Sequence, residues 1–389
     1  NGDLVILNAN GTASVVEGGS VASSVGSDTS FSSVGRSSDV AFDSNSNKVL
    51  IVYEDYSSTY YLMAVVGTVS GTSISFGTPV VAESGQPDST RVVFSSAHNK
   101  FVVFFGDMWT SGNGSARVGT ISGTTVSFGA KAVFNSGYSY YIGATYDSNS
   151  SKVVVAYRDS NNSNKGTAIV GSISGTSISF GAKTVFYTGS IVNIGMCFNS
   201  QNSKVVITYR TSSPDNFTGI VGTVSGTSIS FGTPTTIGPE GVALGTSPAY
   251  DSSSNKLCLF FSEGSAGNYG YASVYTATIS GTSLSVGSKT TFSSTNNSRP
   301  PIAAFMADAS VFVVIHNSPL KVSVGSVSGS SYSHTSTYSH GGSVSQSRAL
   351  GLCYDSSNNK AVIFYMGNSF VYQYPYTSIN LEAGNFLGI

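Results

Sequence analysis

Tyr146-Asp147-Ser148-Asn149-Ser150-Ser151-Lys152, followed by Val153-Val154-Val155-Ala156-Tyr157, is the stretch from which the fold can be read. An aromatic residue leads into a run of Asp, Ser and Asn, whose short side chains bond nearby backbone groups in tight turns. The β-branched run behind the lysine has the composition of a strand. The same motif starts at Phe42, Phe94, Tyr146, Phe198, Tyr250, Phe305 and Tyr354, at intervals of 52, 52, 52, 52, 55 and 49 residues. Self-similarity at such a period marks a repeat architecture, here in seven copies without linkers.

A second motif keeps step with the first. Ser70-Gly71-Thr72-Ser73-Ile74-Ser75-Phe76-Gly77 has equivalent glycines at Gly123, Gly175, Gly226, Gly281 and Gly329, and a looser relative in Asn10-Gly11-Thr12. Each repeat therefore reads as four strands. Small and apolar residues lead into the aromatic (Ser38-Asp39-Val40-Ala41-Phe42), the β-branched run follows the turn, a third strand such as Thr167-Ala168-Ile169-Val170-Gly171-Ser172-Ile173 meets the Ser-Gly-Thr hairpin, and Ser177-Ile178-Ser179-Phe180 alternates behind it.

Four antiparallel strands in roughly 50 residues is the size of a propeller blade, whereas β-solenoid coils are shorter and immunoglobulin-like domains nearer about 100. The fold expected is all-β: a seven-bladed β-propeller of four-stranded antiparallel blades over residues 1–376, with repeats starting near 37, 87, 141, 192, 245, 299 and 347. Residues 377–389 read as an exit segment. The small residues before each aromatic (Ala41, Val93, Thr145, Cys197, Ala249, Ala304, Cys353) suit an inner strand near the axis. The last repeat lacks a Ser-Gly-Thr hairpin, while residues 1–20 hold a spare strand. Residues 13–16 or their neighbours are thus expected to complete the last blade and close the ring, which removes an exposed sheet edge.

Composition narrows the function. Charged residues make up 10%, against about 25% in an ordinary globular protein. The net charge of -1 comes without the clustered Lys/Arg that nucleic acid or an anionic membrane requires. No apolar run reaches the roughly 18 residues of a membrane span, so a soluble chain, processed or trimmed at its N-terminus, is expected. Hydrophobic residues at 40%, with 22 Tyr and 22 Phe, supply ample core.

The chemistry-bearing residues form no reaction signature. Asp43-Ser44-Asn45-Ser46-Asn47 has calcium-loop spacing, but Lys48 stands where that loop needs Gly. His98, His316, His334 and His340 lack ligand spacing, and no nucleophile elbow, zinc-protease motif or phosphate loop occurs. Cys197 and Cys353 take the same position in different repeats, and Cys258 lies on another strand, so free buried thiols are expected. Glu54, Asp55, Asp107, Asp159 and Glu263 would share a rim, where carboxylates can pair for glycosidic chemistry, but the repeat itself brings them there. The expectation is a non-enzyme with no catalytic residue, metal or cofactor.

Comparing the repeats with one another locates a binding face. The Asp-Ser-Asn and Ser-Gly-Thr turns barely change and emerge on one side of the disc. The opposite loops differ in nearly every blade. At the end of strand two the column reads Glu54, Gly106, Arg158, Arg210, Ser262, His316, Met366. Nearby stand Trp109, Tyr56, Tyr60, Tyr61 and Tyr269, and between the second and third repeats Tyr138, Tyr140 and Tyr141. Aromatics beside hydrogen-bonding groups suit sugar rings or a protein partner. Arg158 and Arg210 suit a carboxylate or sulfate, or else pair with Asp159 or Glu54. The eight aromatics named here, with Arg158, Arg210 and His316 of the column, are the candidate ligand set.

The iterated Gly67-Thr68-Val69-Ser70-Gly71-Thr72-Ser73-Ile74-Ser75-Phe76-Gly77-Thr78-Pro79, with the Tyr146 motif, resembles the propeller repeats of large virion-associated proteins of tailed bacteriophages, especially marine ones. Val5-Ile6-Leu7-Asn8-Ala9-Asn10 resembles the lead-in of those modules, and the tail from Tyr376 to Ile389 resembles their exit into a fibre-like segment. The sixth repeat departs most, with Met306-Ala307-Asp308-Ala309 in place of the Asp-Ser turn. The resemblance implies a tail-fibre, tailspike or capsid-surface component on the virion surface. Its implied partners are other virion proteins and a host surface glycan or receptor, with homo-oligomerisation left open. A secreted bacterial lectin or filament subunit is the alternative, and a glycan-active enzyme the third reading.

Overall fold

The computed structural model describes residues 5–7, 13–15, 19–21, 23–32, 35–55, 60–108, 112–238, 242–265, 268–293, 301–316, 319–340 and 350–378. The chain is all-β: the described residues build antiparallel strands and two short 3-10 turns, Ser160–Asn162 and Ala307–Ala309. In the first unit Gly35–Asp43, Lys48–Asp55 and Leu62–Ser70 pair in sequence order, and Leu62–Ser70 pairs again with Ser73–Phe76 and Val80–Glu83. The following repeats keep this order. Ala132–Asp147 and Thr184–Asn199 each leave one unit as its outermost strand and enter the next as its first.

The turn motif works as its residues suggest. The Asp43 carboxylate accepts the backbone N–H of Asn45 and Ser46 at 2.8 and 3.1 Å, and Asp147 those of Asn149 and Ser150 at 3.0 and 3.1 Å. The last turn residue is left-handed at Asn47, Asn99, Ser151, Ser203, Asn255 and Asn359, a conformation in which Asn is enriched. The next lysine latches strand two to strand three: Lys48, Lys152 and Lys204 donate to Thr68, Ser172 and Thr223 hydroxyls at 2.9, 2.8 and 2.8 Å. In the second hairpin Ser70 faces Ser73 around Gly71-Thr72, with Gly71 at φ +59°, as a two-residue loop with glycine first requires.

Strand two of each unit is a largely apolar run, interrupted by Thr208 in the fourth, because both its faces are covered, and alternate residues serve different neighbours. Val153 and Tyr157 pack with Val102 and Phe104 of the unit before, while Val154 and Ala156 pack with Val205 and Ile207 of the unit after. The pattern continues from Val206 to Leu257, Phe260 to Phe312 and Ile315 to Leu352. Val362 and Phe364 of the last repeat share a cluster with Val49 and Ile51 of the first.

In the last unit Leu350–Asp355, Lys360–Tyr365 and Asn368–Gln373 pair in order, and the next strand comes from the N-terminus. That strand is Ser24–Val25 with Thr29–Ser30, later along the chain than the expected residues 13–16. Ala13–Val15 pairs instead with Val5–Leu7, and Gly19–Val21 with Tyr376–Ser378. The choice follows from Val25-Gly26, which stands where Phe76-Gly77 does in the first unit. Asp28 fixes the segment further: its carboxylate lies 3.2 Å from His340 Nε2 of the sixth repeat and accepts the Tyr365 hydroxyl of the last at 2.5 Å.

Candidate functional site

The crossing of Ala132–Asp147 between two units builds the richest cluster of predicted residues. Tyr138 still pairs with Asn113 of the second unit, whereas Ser139 pairs with Asp159 and Tyr140 with Arg158 of the third. The Arg158 guanidinium sits 4.9 Å from the Tyr140 ring centroid and 4.8 Å from that of Tyr141. Such cation–π contacts contribute about 0.5–2 kcal/mol each, more as water is excluded. Tyr138 lies parallel to Tyr140, at 7° and 6.1 Å between centroids, and is 43% exposed. Arg158, named from the strand-two column, thus joins the tyrosines of the Tyr138–Tyr141 segment in one group.

Tyr141 is held against its preference. It occupies a β-bulge where the register shifts between Tyr140 and Gly143, with φ 53°. Ser89 and Asn193 take the same position in the flanking repeats, with φ 54° and 56°. Asn tolerates that conformation, but a bulky ring there costs on the order of 1–3 kcal/mol. The Tyr141 N–H donates to Ser89 Oγ at 3.0 Å, tying the bulge to the neighbouring unit.

The two candidate arginines differ. Arg210 is bound by both carboxylate oxygens of Asp215, and this hydrogen-bonded pairing raises its pKa. Arg158 makes no ion pair among the described residues, and its Nε, shut off from solvent, has no acceptor. At the same end of the third unit Tyr157 Oη and Thr167 Oγ1 are also buried without a partner. Burial, helped by the Asp159 charge, pushes the Tyr157 phenol up.

Three of the five rim carboxylates, Asp107, Asp159 and Glu263, have a lysine within 4 Å. Asp159 is buried, 3.9 Å from Lys183 Nζ and 3.4 Å from Asn135 Nδ2. Asp107 meets Lys131 at 3.2 Å, and Glu263 meets Lys289 at 3.0 Å. Lys131 also reaches Glu83 at 3.2 Å, and Arg117 reaches that residue at 2.7 Å. Burial alone would lower the Lys131 pKa, but hydrogen bonds and charge from Glu83 and Asp107 outweigh it and raise the value. Glu54 is buried as well. A glycosidic acid–base pair needs two carboxyl groups facing a common substrate, and here Asp107, Asp159 and Glu263 each meet a lysine of their own unit, while Glu83 of the first unit is held by Arg117 and Lys131 of the second. The spacing of the lysine, 24 residues after both Asp107 and Asp159, is the signal that could have revealed these pairs.

Other candidates fall outside the group. His316 is a correction: it is 1% exposed, its Nε2 lies 2.7 Å from Ser323 Oγ, and its ring stands edge-on to Phe292 at 5.3 Å. Glu54 and Ser262 of the same column are equally buried, so at His316 the column packs into the protein rather than facing a ligand. Tyr60 and Tyr61 are half-buried on the first unit, where the Tyr61 carbonyl accepts the Asp55 N–H at 2.9 Å. Trp109 and Tyr56 lie outside the described residues, as does the side chain of Tyr269, whose backbone pairs with Gly264. Cys197, Cys258 and Cys353 are free thiols.

The strand arrangement has close parallels among solved structures. A protein from Lactobacillus plantarum superposes with TM-score 0.59 at 13% identity, over 82% of this chain and 88% of its own. The β-propeller domain of Cps50 (Swd1) from Myceliophteria thermophila superposes with TM-score 0.59 at 8% identity, over 90% of this chain and 99% of its own. The chain has a β-propeller fold. The periplasmic gluconolactonase PpgL of Pseudomonas aeruginosa matches this propeller with TM-score 0.59 at 10% identity, over 78% of this chain and 85% of its own. At such identities the likeness concerns the fold alone. No family model matches the propeller, and no curated protein matches it at a significant level.

Proposed function

We propose that this propeller is a closed ring of seven blades acting as a non-enzymatic binding module, whose variable face meets a surface glycan or protein. Closure is supported by the Val362–Val49 packing and by the N-terminal strand on Asn368–Gln373. The single observation that carries the binding role is the Tyr138–Tyr140–Arg158–Tyr141 group, an exposed aromatic step beside a cation that makes no ion pair among the described residues. Flat rings with few rotamers beside a charged donor suit carbohydrate and protein recognition alike. The engaged rim carboxylates favour binding over hydrolysis.

The setting follows from the resemblance of the repeats to phage virion proteins: an adhesion or decoration module on the virion surface, next to other virion proteins. Sedimentation of native source material, with mass spectrometry of the fractions, tests the setting. Peptides of this chain travelling with phage-sized particles are the expected result. Their absence from particles would replace the virion reading by the secreted lectin or filament reading. The binding role is tested separately by a glycan array and cell-surface binding, which a Tyr138→Ala/Tyr140→Ala double variant should lose without unfolding. Unaltered binding would sink the proposed face.

A further inference from the structure

The Tyr138–Arg158 group has a chemical bias that a generic docking face lacks. Arg117 is neutralised by Glu83 and Arg210 by Asp215, and Arg91 bonds the Thr90 carbonyl at 2.8 Å. Among the described residues, the side-chain contacts of Arg158 are the rings of Tyr140 and Tyr141, with no ion pair. Aromatic rings attract a guanidinium but leave its in-plane N–H donors unused. Those donors form a planar fork that matches a carboxylate in bidentate fashion. The adjacent Asp159 would repel an anion, but Lys183 and Asn135 hold it. Arg158, Lys183 and Asp159 together leave one net positive charge on a protein whose formal net charge is -1. Beside this charge the Tyr138 ring is exposed and parallel to Tyr140, the kind of surface on which a sugar ring stacks.

The backbone at this point supports selection for a ligand rather than for stability. Of the three such bulges with a left-handed residue among those described, in the second, third and fourth repeats, Ser89 and Asn193 hold short polar side chains and Tyr141 holds a ring. That ring is one of the two that flank Arg158.

We propose that this group binds a sugar acid, with the carboxylate on the Arg158 fork and the pyranose ring laid on Tyr138. The inference rests on the binding-module reading and narrows its ligand. One guanidinium charge matches a monoanionic carboxylate better than a dianionic phosphate, and a sulfate ester, which offers the fork two oxygens as well, is the competitor that the test includes.

The test uses the full chain and two polymers of one backbone, polygalacturonic acid and its fully methyl-esterified form, with dextran sulfate as a sulfated polyanion. Affinities are read by calorimetry at low and raised salt, alongside the melting temperature of every variant. The acid should bind at least about tenfold tighter than the ester, the range expected for a charge-assisted pair. Arg158→Gln should erase that preference, and Arg158→Lys should restore it only in part, because an ammonium is a point charge without the fork. Tyr138→Ala should weaken both polymers alike.

Equal affinity for acid and ester, or an acid preference that survives Arg158→Gln, overturns the inference, as does tighter binding of dextran sulfate. If both polymers bind equally and Tyr138→Ala weakens both, the binding-module reading stands and only the sugar acid falls. Binding of neither polymer also overturns the sugar acid, and the glycan-array and cell-surface assays then judge the broader reading by themselves.

Discussion

Gly26 donates its backbone N–H to the Val371 carbonyl across 2.9 Å, the bond that Gly77 makes to Val66, Gly129 to Val118, Gly181 to Val170 and Gly232 to Val221 at 2.9–3.0 Å. A residue near the N-terminus thereby does for the last repeat what the glycine after the Ser-Gly-Thr hairpin strand does for the first four. The absence of a side chain is required there: a Cβ on Gly26 would lie 1.7 Å from the Thr72 carbonyl oxygen of the first repeat, and one on Gly77 would lie 1.9 Å from that of Thr124. Each such glycine lets a strand end touch the next hairpin backbone.

Gly26→Ala is therefore expected to destabilise the fold by about 1–3 kcal/mol, the cost of forcing extra volume against fixed backbone. Gly71→Asn makes the control, since nothing lies within 4 Å of its Cβ position and Asn accepts φ +59°. Denaturant titration of the two variants compares them directly. Equal midpoints would remove Gly26 from the junction between last and first repeats.

Lys131 links a pair of carboxylates to alkaline stability. Its folded-state pKa is raised above the usual 10.5, since Glu83 and Asp107 outweigh its burial. A raised basic group contributes stability that is fully present below the unfolded-state value and is lost as pH rises through the folded one. Lys131→Met should cost about 1 kcal/mol at neutral pH. The gap between wild type and variant should then close above pH 10.5. Urea titrations at pH 8 and pH 11 measure it, and a gap independent of pH would refute the assignment.

The thiols should be silent in the native state. Burial pushes the Cys197 thiol up to about 12 and holds Cys258 and Cys353 well above the ordinary thiol value. Because the thiolate is the reactive form, a thiol-specific chromogenic disulfide at pH 8 should react slowly with folded protein and with all three cysteines in denaturant. Rapid labelling of one equivalent before unfolding would show that a strand carrying one of them opens readily.

Asp147→Ala should lose about 2 kcal/mol, because two backbone donors and the Ser150 hydroxyl, at 2.7 Å, would face a buried methyl group. Asp147→Asn should lose less: Asn199 fills the same position in the fourth repeat and accepts the Asn202 N–H at 2.9 Å. Thermal unfolding of both variants decides the order. Equal losses would mean that charge, rather than an acceptor in place, holds the turn.

The repeat, the four-strand unit, the Asp-led turn and the glycine-first hairpin were readable in the sequence because each depends on residues within a few positions of one another. Period-two alternation and turn chemistry act locally, so Tyr146–Lys152 carries its conformation wherever the chain goes. The aromatic-rich Tyr138–Tyr141 segment stood out for the same reason. What the sequence could not apportion was partnership across units. Arg158 and Arg210 occupy one column and look alike, yet Asp215 neutralises the second and two tyrosine rings flank the first. His316 shares that column and is sealed between Phe292 and Ser323.

Sequence by itself determined an all-β repeat protein and pointed to the loops where variation concentrates. Tertiary structure decided which N-terminal strand pairs with Asn368–Gln373, which carboxylates meet lysines, and that Arg210 rather than Arg158 has an ion pair among the described residues. The physical reason is range: a turn is specified by its own four or five residues, whereas charge compensation and side-chain exposure depend on register, bulges and neighbours that fold in from tens or hundreds of residues away.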